Sequence, residues 1–217
     1  MSTMTETVGR AHSPSTTVAV NRRTIDRILS LTGVVLTAAL VVAGVLLMWG
    51  ANFSADYVDD ELSSQNITFP PAAALEEEGR TDLLKYAGAD VNTGPEAEAY
   101  ASFINGHLEG IADGATYADL GTPEREAKAA LDAAKADGAS EAEIAKLEGE
   151  YNQVSGQRNS LFKGETLRGL LLSAYAWATV GQIAGYAAIG AFVAAAAMLV
   201  LTVLGFRHQA KLARSEA

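Results

Sequence analysis

Two long runs without a charge constrain this chain more than any other feature. From Ile28 to Trp49 no residue is charged, and from Gly169 to Phe206 none is either, with Gln182 the only strongly polar side chain of the second run. At about 1.5 Å of rise per helical residue, the first run matches a hydrocarbon core of roughly 30 Å and the second exceeds it. Two transmembrane helices are the minimal reading, which makes the lipid bilayer the first expected partner. Arg22, Arg23 and Arg27 precede the first run as they would a signal peptide. The run is longer than a signal core of roughly 7 to 15 residues, and no convincing small-x-small cleavage site follows Trp49, so the helix is expected to be retained.

Basic residues near span ends set orientation. Arg22, Arg23 and Arg27 flank the first run, and Arg207, Lys211 and Arg214 follow the second, which predicts that both termini are cytoplasmic. The layout is then a disordered cytoplasmic tail at 1–21, rich in Ser and Thr, and a first transmembrane helix at 22–50. An extracytoplasmic α-helical domain at 51–168 leads to a long helix carrying the second span at 169–206, and a cytoplasmic tail at 207–217 closes the chain. The formal charge of −10 and the isoelectric point near 4.7 argue against nucleic acid as a partner. With no Cys, no disulfide staples the outer segment, so it must hold together by helix packing and by its tethers at both ends.

Between the spans the periodicity is helical. Phe53, Tyr57, Val58 and Leu62 continue the first helix as an amphipathic stalk, until Pro70 and Pro71 in "ITFPPAAA" break it. A short helix is expected over Leu75 to Tyr86, with "GADVNTG" as a turn region. Thr93 and Pro95 open a helix over about 95–112, whose apolar face is Ala97, Tyr100, Ala101, Ile104, Leu108 and Ile111. Thr122-Pro123 and the capping-box pattern Ser140-x-x-Glu143 open the two arms of an Ala-rich hairpin at 122–153. No strand-like alternation of any length occurs, so the fold class is all-α, with two transmembrane helices extended as a stalk and enclosing a small helical domain. Leu170, Leu171, Leu172 and Tyr175 of "GETLRGLLLSAYAW" fall outside the bilayer on this count, and the stalk around Phe53, Tyr57 and Leu62 is their expected partner.

Candidate chemistry is sparse. His107 is the one histidine of the outer segment, and without further His, Cys or paired carboxylates near it no metal ligand is expected. No G-x-S-x-G occurs, and the glycines of "GADVNTG" lack the Lys of a phosphate loop. Catalytic residues, cofactors and an enzymatic role are therefore not expected. Gly181, Ala184, Gly185 and Ala188 form a small-residue face for close helix packing, either on the first span or on another membrane protein. Tyr100, Phe103, His107 and Tyr117 form the candidate ligand or partner surface, concave if the outer domain captures a small ligand.

The segments "ITFPPA", "YAGADVNTG", "AYASFINGHL", "TYADL" and "LFKGETLRGLLLSAYAW", in that order between two spans, resemble a group of actinobacterial two-span membrane proteins. The resemblance covers most of the chain from the first helix onward, apart from the Ala-rich hairpin. It implies placement in an actinobacterial cell envelope and carries over no functional residue. Some members bear the label of an aromatic ring-opening dioxygenase small subunit, which would call for iron. The leading functional expectation is a non-enzymatic accessory protein that binds another membrane or envelope protein; the alternative is an extracytoplasmic small-ligand receptor.

Overall fold

The structure, a computed structural model, describes residues 22–215, so the expected tail at 1–21 lies outside the described residues. Five α-helices follow one another: α1 (Arg22–Ser63), α2 (Ala72–Glu77), α3 (Gly94–Glu109), α4 (Gly121–Ala136) and α5 (Glu141–Ser215). Two short 3-10 turns, Thr81–Tyr86 and Ala112–Gly114, complete the secondary structure. The fold is all-α: among the described residues the only β-type pairing is one isolated bridge, Thr68 to Asp90. α1 and α5 are each long and apolar enough to cross a bilayer, with windows of mean hydropathy 2.5.

The chain divides into two compact units, Met1–Ala43 with Ala191–Ala217, and Gly44–Gly190. In the first unit α1 and α5 meet through small and polar side chains. The Thr202 hydroxyl fills the space where Gly33 lacks a Cβ, and Gly205 leaves room for Ser30 Oγ. Gln209 Nε2 donates to the Asp26 carbonyl and to Ser30 Oγ, both at 2.7 Å.

The second unit holds residues 44–63 of α1, residues 141–190 of α5 and the chain between them. α1 ends at Ser63, and three residues on Asn66 takes a left-handed φ of 50°, a conformation its short polar side chain tolerates. The chain then runs extended into the proline pair: Phe69 N–H donates to the Ala89 carbonyl at 2.9 Å and Val91 N–H to the Ile67 carbonyl at 2.8 Å. The helix expected over Leu75 to Tyr86 is instead two pieces, because Gly79 at φ 72° ends α2 and the backbone restarts as a 3-10 turn. α3 begins at Thr93, where Glu96 Oε2 accepts from the Thr93 N–H at 2.9 Å and from its hydroxyl at 2.7 Å. It stops at Glu109, short of the expected 112, and left-handed residues at Ala112, Asp113 and Gly114 turn the chain.

α5 departs most from expectation. The hairpin arm opened by Ser140, whose Oγ accepts from Glu143 N–H at 3.3 Å, does not stop near Gln153. It runs on as one helix of 75 residues, so the expected boundary at 168/169 falls mid-helix. Nothing in "NQVSGQRNSLFKG" breaks a helix: it has no Pro, and Gly156 and Gly164 each cost only about 1 kcal/mol relative to Ala. Tertiary contacts outweigh that cost. Leu161 is buried with Leu108 and Leu120, and Val154 packs beside them. Arg158 donates to Glu124 at 2.5 Å and lies 4.1 Å above the Tyr117 ring, which ties α4 and its connector to α5. The Ser155 hydroxyl and then the Arg158 guanidinium hold the Glu124 carboxyl below the usual carboxylate range.

The main core gathers Val58 and Leu62 of α1, Phe69, Leu75, Leu83 and Val91 of the connecting segment, Ala97, Ala101 and Phe103 of α3, and Leu171 of α5. Arg80 clasps its outer edge. Its guanidinium donates to both Asp82 oxygens at 3.0 and 2.9 Å, to the Ser102 carbonyl at 2.9 Å and to Ser102 Oγ at 3.0 Å. Arg80→Ala is expected to destabilise this unit by about 1.5 kcal/mol, since charged hydrogen bonds to α3 are lost. Protease susceptibility of the 72–109 segment in the detergent-solubilised protein reads it out. The Arg80 hydrogen bond also holds the Asp82 carboxyl below its ordinary value. A depressed folded pKa contributes stability above the unfolded value, near 3.9, and that contribution disappears as pH falls through the folded one. The cost of Arg80→Ala should therefore shrink on acidification below pH 4.

Candidate functional site

Small residues fix the register of α1 and α5 in the second unit. A Cβ at Gly181 would fall 2.7 Å from Ser54 Cβ, and one at Gly185 would fall 3.6 Å from Ala51 Cβ. Ser54 Oγ donates to the Trp177 carbonyl at 2.6 Å. The helices are antiparallel in this stretch, so Trp49 of α1 and Tyr186 of α5 lie at about the same level. Of the expected packing face, Gly181 and Gly185 meet α1 of the same chain, Ala188 is fully buried, and Ala184 is partly covered.

The candidate ligand surface divides. Tyr100 and Phe103 belong to a ring cluster with Phe69 and Tyr86: Phe69 stacks on Tyr86 at 5.2 Å and meets Tyr100 edge-on at 5.1 Å, and Tyr100 lies 5.5 Å from Phe103. Burial raises the Tyr100 hydroxyl above its ordinary pKa. Tyr100 thus packs into the core, whereas Phe103 and His107 also line a cavity of about 380 Å³ with Leu108, Lys163 and Leu167. His107 sits at the edge of this cluster, 4.6 Å from the Phe103 ring, with Nδ1 3.1 Å from the Phe103 carbonyl and Nε2 3.5 Å from Glu78. Tyr117 is not brought to them; it pairs instead with Phe162 at 5.7 Å and with Arg158. Among the described residues no three His, Asp or Glu side chains gather as a metal-ligand set.

Two other surface features stand out. The first is an apolar strip. Trp49, Phe53 and Tyr57, each one helical turn from the next, stack at 5.7 and 6.2 Å along α1 and are all exposed. Beside them Tyr57, Leu167, Leu170 and Trp177 line a cleft of about 250 Å³ between α1 and α5. The expected pairing of the leucine run with the stalk is thus half correct. Leu171 is 2% exposed against Val58 and Leu62, while its neighbour Leu170 is 64% exposed. Successive helical residues point about 100° apart, so a run of three leucines cannot all face one partner.

The second feature is a groove of about 640 Å³ on another face of α1, closed by α5 and by the start of α3. Gly94 makes that closure possible, because a Cβ there would collide with Ala178 Cβ. Met48, Ala51, Gly185 and Ile189 line one end, near the level of Trp49 and Tyr186; Asn52, Asp56, Asp59, Asn92 and Gln182 line the rest. Sequence reasoning noted Gln182 only as an isolated polar residue. Its position opposite Asn52 and Asp56 depends on the helix register and could not be seen from spacing alone. No family model, curated protein or solved structure matches the chain, so the functional argument rests on these surfaces.

Proposed function

We propose that the chain is a two-span integral membrane protein of the cell envelope whose residues 51–168 face outward, and that it serves as a non-enzymatic accessory protein that docks another membrane or envelope protein. Its long apolar windows are only 11% and 17% buried, unlike core helices of a soluble protein, and so they call for lipid around them. The basic residues Arg22, Arg23 and Arg27 before α1's apolar run, and Arg207, Lys211 and Arg214 after α5's, favour cytoplasmic termini. The resemblance to actinobacterial two-span proteins agrees with this placement.

The observation that carries the docking role is the exposed apolar strip of Trp49, Phe53, Tyr57, Leu167, Leu170 and Trp177. Trp49 and Tyr186 suit an interfacial aromatic belt. On that footing Leu170 and Leu167, many residues beyond Tyr186 along α5, stand outside the bilayer, where lipid does not cover them. Contiguous apolar surface in water marks an interaction site. A photoreactive phenylalanine analogue at Leu170, irradiated in native membranes, should give one discrete adduct of higher mass. The same analogue at Asp132, on α4, should give none. Smears of equal intensity from both positions would remove the docking role.

A further inference from the structure

We propose that the groove between α1, α5 and the start of α3 holds the headgroup and upper chain of a single lipid with a neutral, polyhydroxylated headgroup, that is, a glycolipid. The inference rests on the membrane reading above but not on the docked partner, which uses another face of α1. The groove is amphipathic along its length. Met48, Ala51 and Ile189 line the end near the Trp49 and Tyr186 level, the membrane interface where the upper acyl chain meets the headgroup, and the polar residues lie beyond it. Its volume of about 640 Å³ falls within the roughly 300–1,000 Å³ of small-molecule sites.

The headgroup class follows from the donors and acceptors. Asp56 and Asp59 are acceptors only, whereas the amides of Asn52, Asn92 and Gln182 both donate and accept. No Lys or Arg lines the groove. The N-terminus of α3 would ordinarily attract an anion, but Pro95 lacks an N–H, the Thr93 side chain caps the Glu96 N–H, and the Glu96 carboxylate already sits there, 3.1 and 2.9 Å from the Asn92 and Thr93 N–H groups. A phosphate headgroup would therefore meet two carboxylates and no compensating charge. A quaternary ammonium headgroup would satisfy the carboxylates but offer nothing to three amides. Hydroxyl groups donate to the former and exchange hydrogen bonds with the latter.

The test uses the full-length chain in phosphatidylcholine nanodiscs doped equally with monogalactosyl diacylglycerol, phosphatidylglycerol and a trimethylammonium diacylglycerol lipid. Native mass spectrometry then counts the lipids that stay bound after ejection. The galactolipid should be retained about tenfold over the other two dopants, as expected for one or two hydrogen bonds made in a partly dry site. The double variant Asp56→Ala/Gln182→Ala should bring that ratio to within about twofold, while Leu170→Ser, on the strip, should leave it unchanged. These exposed positions are chosen so that folding survives. Equal retention, preference for the ammonium lipid, or a galactolipid preference that persists in the double variant would each overturn the assignment. Flotation after alkaline carbonate separates the two readings: a chain released from membranes refutes the membrane reading and the lipid site together, whereas an inserted chain without selectivity refutes the lipid site alone.

Discussion

Phe69→Ala is expected to loosen the whole second unit, raising amide exchange of α3 by roughly a hundredfold or more in the detergent-solubilised protein. Phe69 is 2% exposed, and its ring lies between Tyr86 and Tyr100 while its N–H closes the backbone pairing to Ala89. Truncating a buried Phe costs about 3–5 kcal/mol, a sum of lost transfer energy and the cavity left behind. The segment has little with which to refill that cavity. α2 is six residues long, the backbone pairing is a single bridge, and no disulfide restrains the chain. Phe69→Leu, which keeps most of the volume, should recover the greater part of the protection. Mass-resolved hydrogen exchange of the peptides covering 94–109 gives the answer. Unchanged exchange in the alanine variant would mean that the ring cluster does not hold α3 against the stalk.

What could be read from the sequence depended on whether the signal was local. The apolar runs, the Thr93 start of α3 and the Ser140 cap all act through neighbouring residues, and each appears close to its expected position, whereas α1 ends at Ser63, before the prolines expected to break it. Missing were features set by contacts distant in the chain. Nothing near Gln153 shows whether α5 stops; Leu161 under Leu108 and Arg158 against Glu124 decide it, and both partners lie in other helices. Thr93 and Glu96, three apart in the sequence, are by contrast a local signal of the same kind as the Ser140 cap. The ring cluster shows the same division. Periodicity placed Tyr100 on the apolar face of α3, but the rings packed around it, Phe69 and Tyr86, come from a segment with no periodicity to announce them. The candidate site followed suit: Gly181 and Gly185 were legible as a packing face, whereas the groove beside them required the α1 and α5 register and the position of α3.

That register makes Gly181→Leu the other large perturbation. Any side chain at 181 begins with a Cβ 2.7 Å from Ser54 Cβ and 3.3 Å from the Ala51 carbonyl, and neither is the free end of a flexible group. Overpacking of this kind costs about 1–3 kcal/mol where the surroundings can yield, and here relief requires the two helices to part. The absence of Cys allows a direct measurement. A Cβ at Gly185 lies 3.6 Å from that of Ala51, inside the roughly 3.5–4.5 Å that a disulfide spans, so Ala51→Cys/Gly185→Cys should oxidise readily. With a protease site inserted at the Gly138 turn, the two halves should stay linked after cleavage until reductant is added. Adding Gly181→Leu should slow that cross-link by about tenfold or more, because a shift of an ångström or two carries the sulfurs out of range. Gly169→Leu, on the same helix with open space around it, should leave the rate unchanged and mark the effect as one of contact rather than of helix composition. The same parting would widen the groove, so Gly181→Leu should also reduce galactolipid retention while sparing the Leu170 adduct; equal loss of both would point instead to general unfolding.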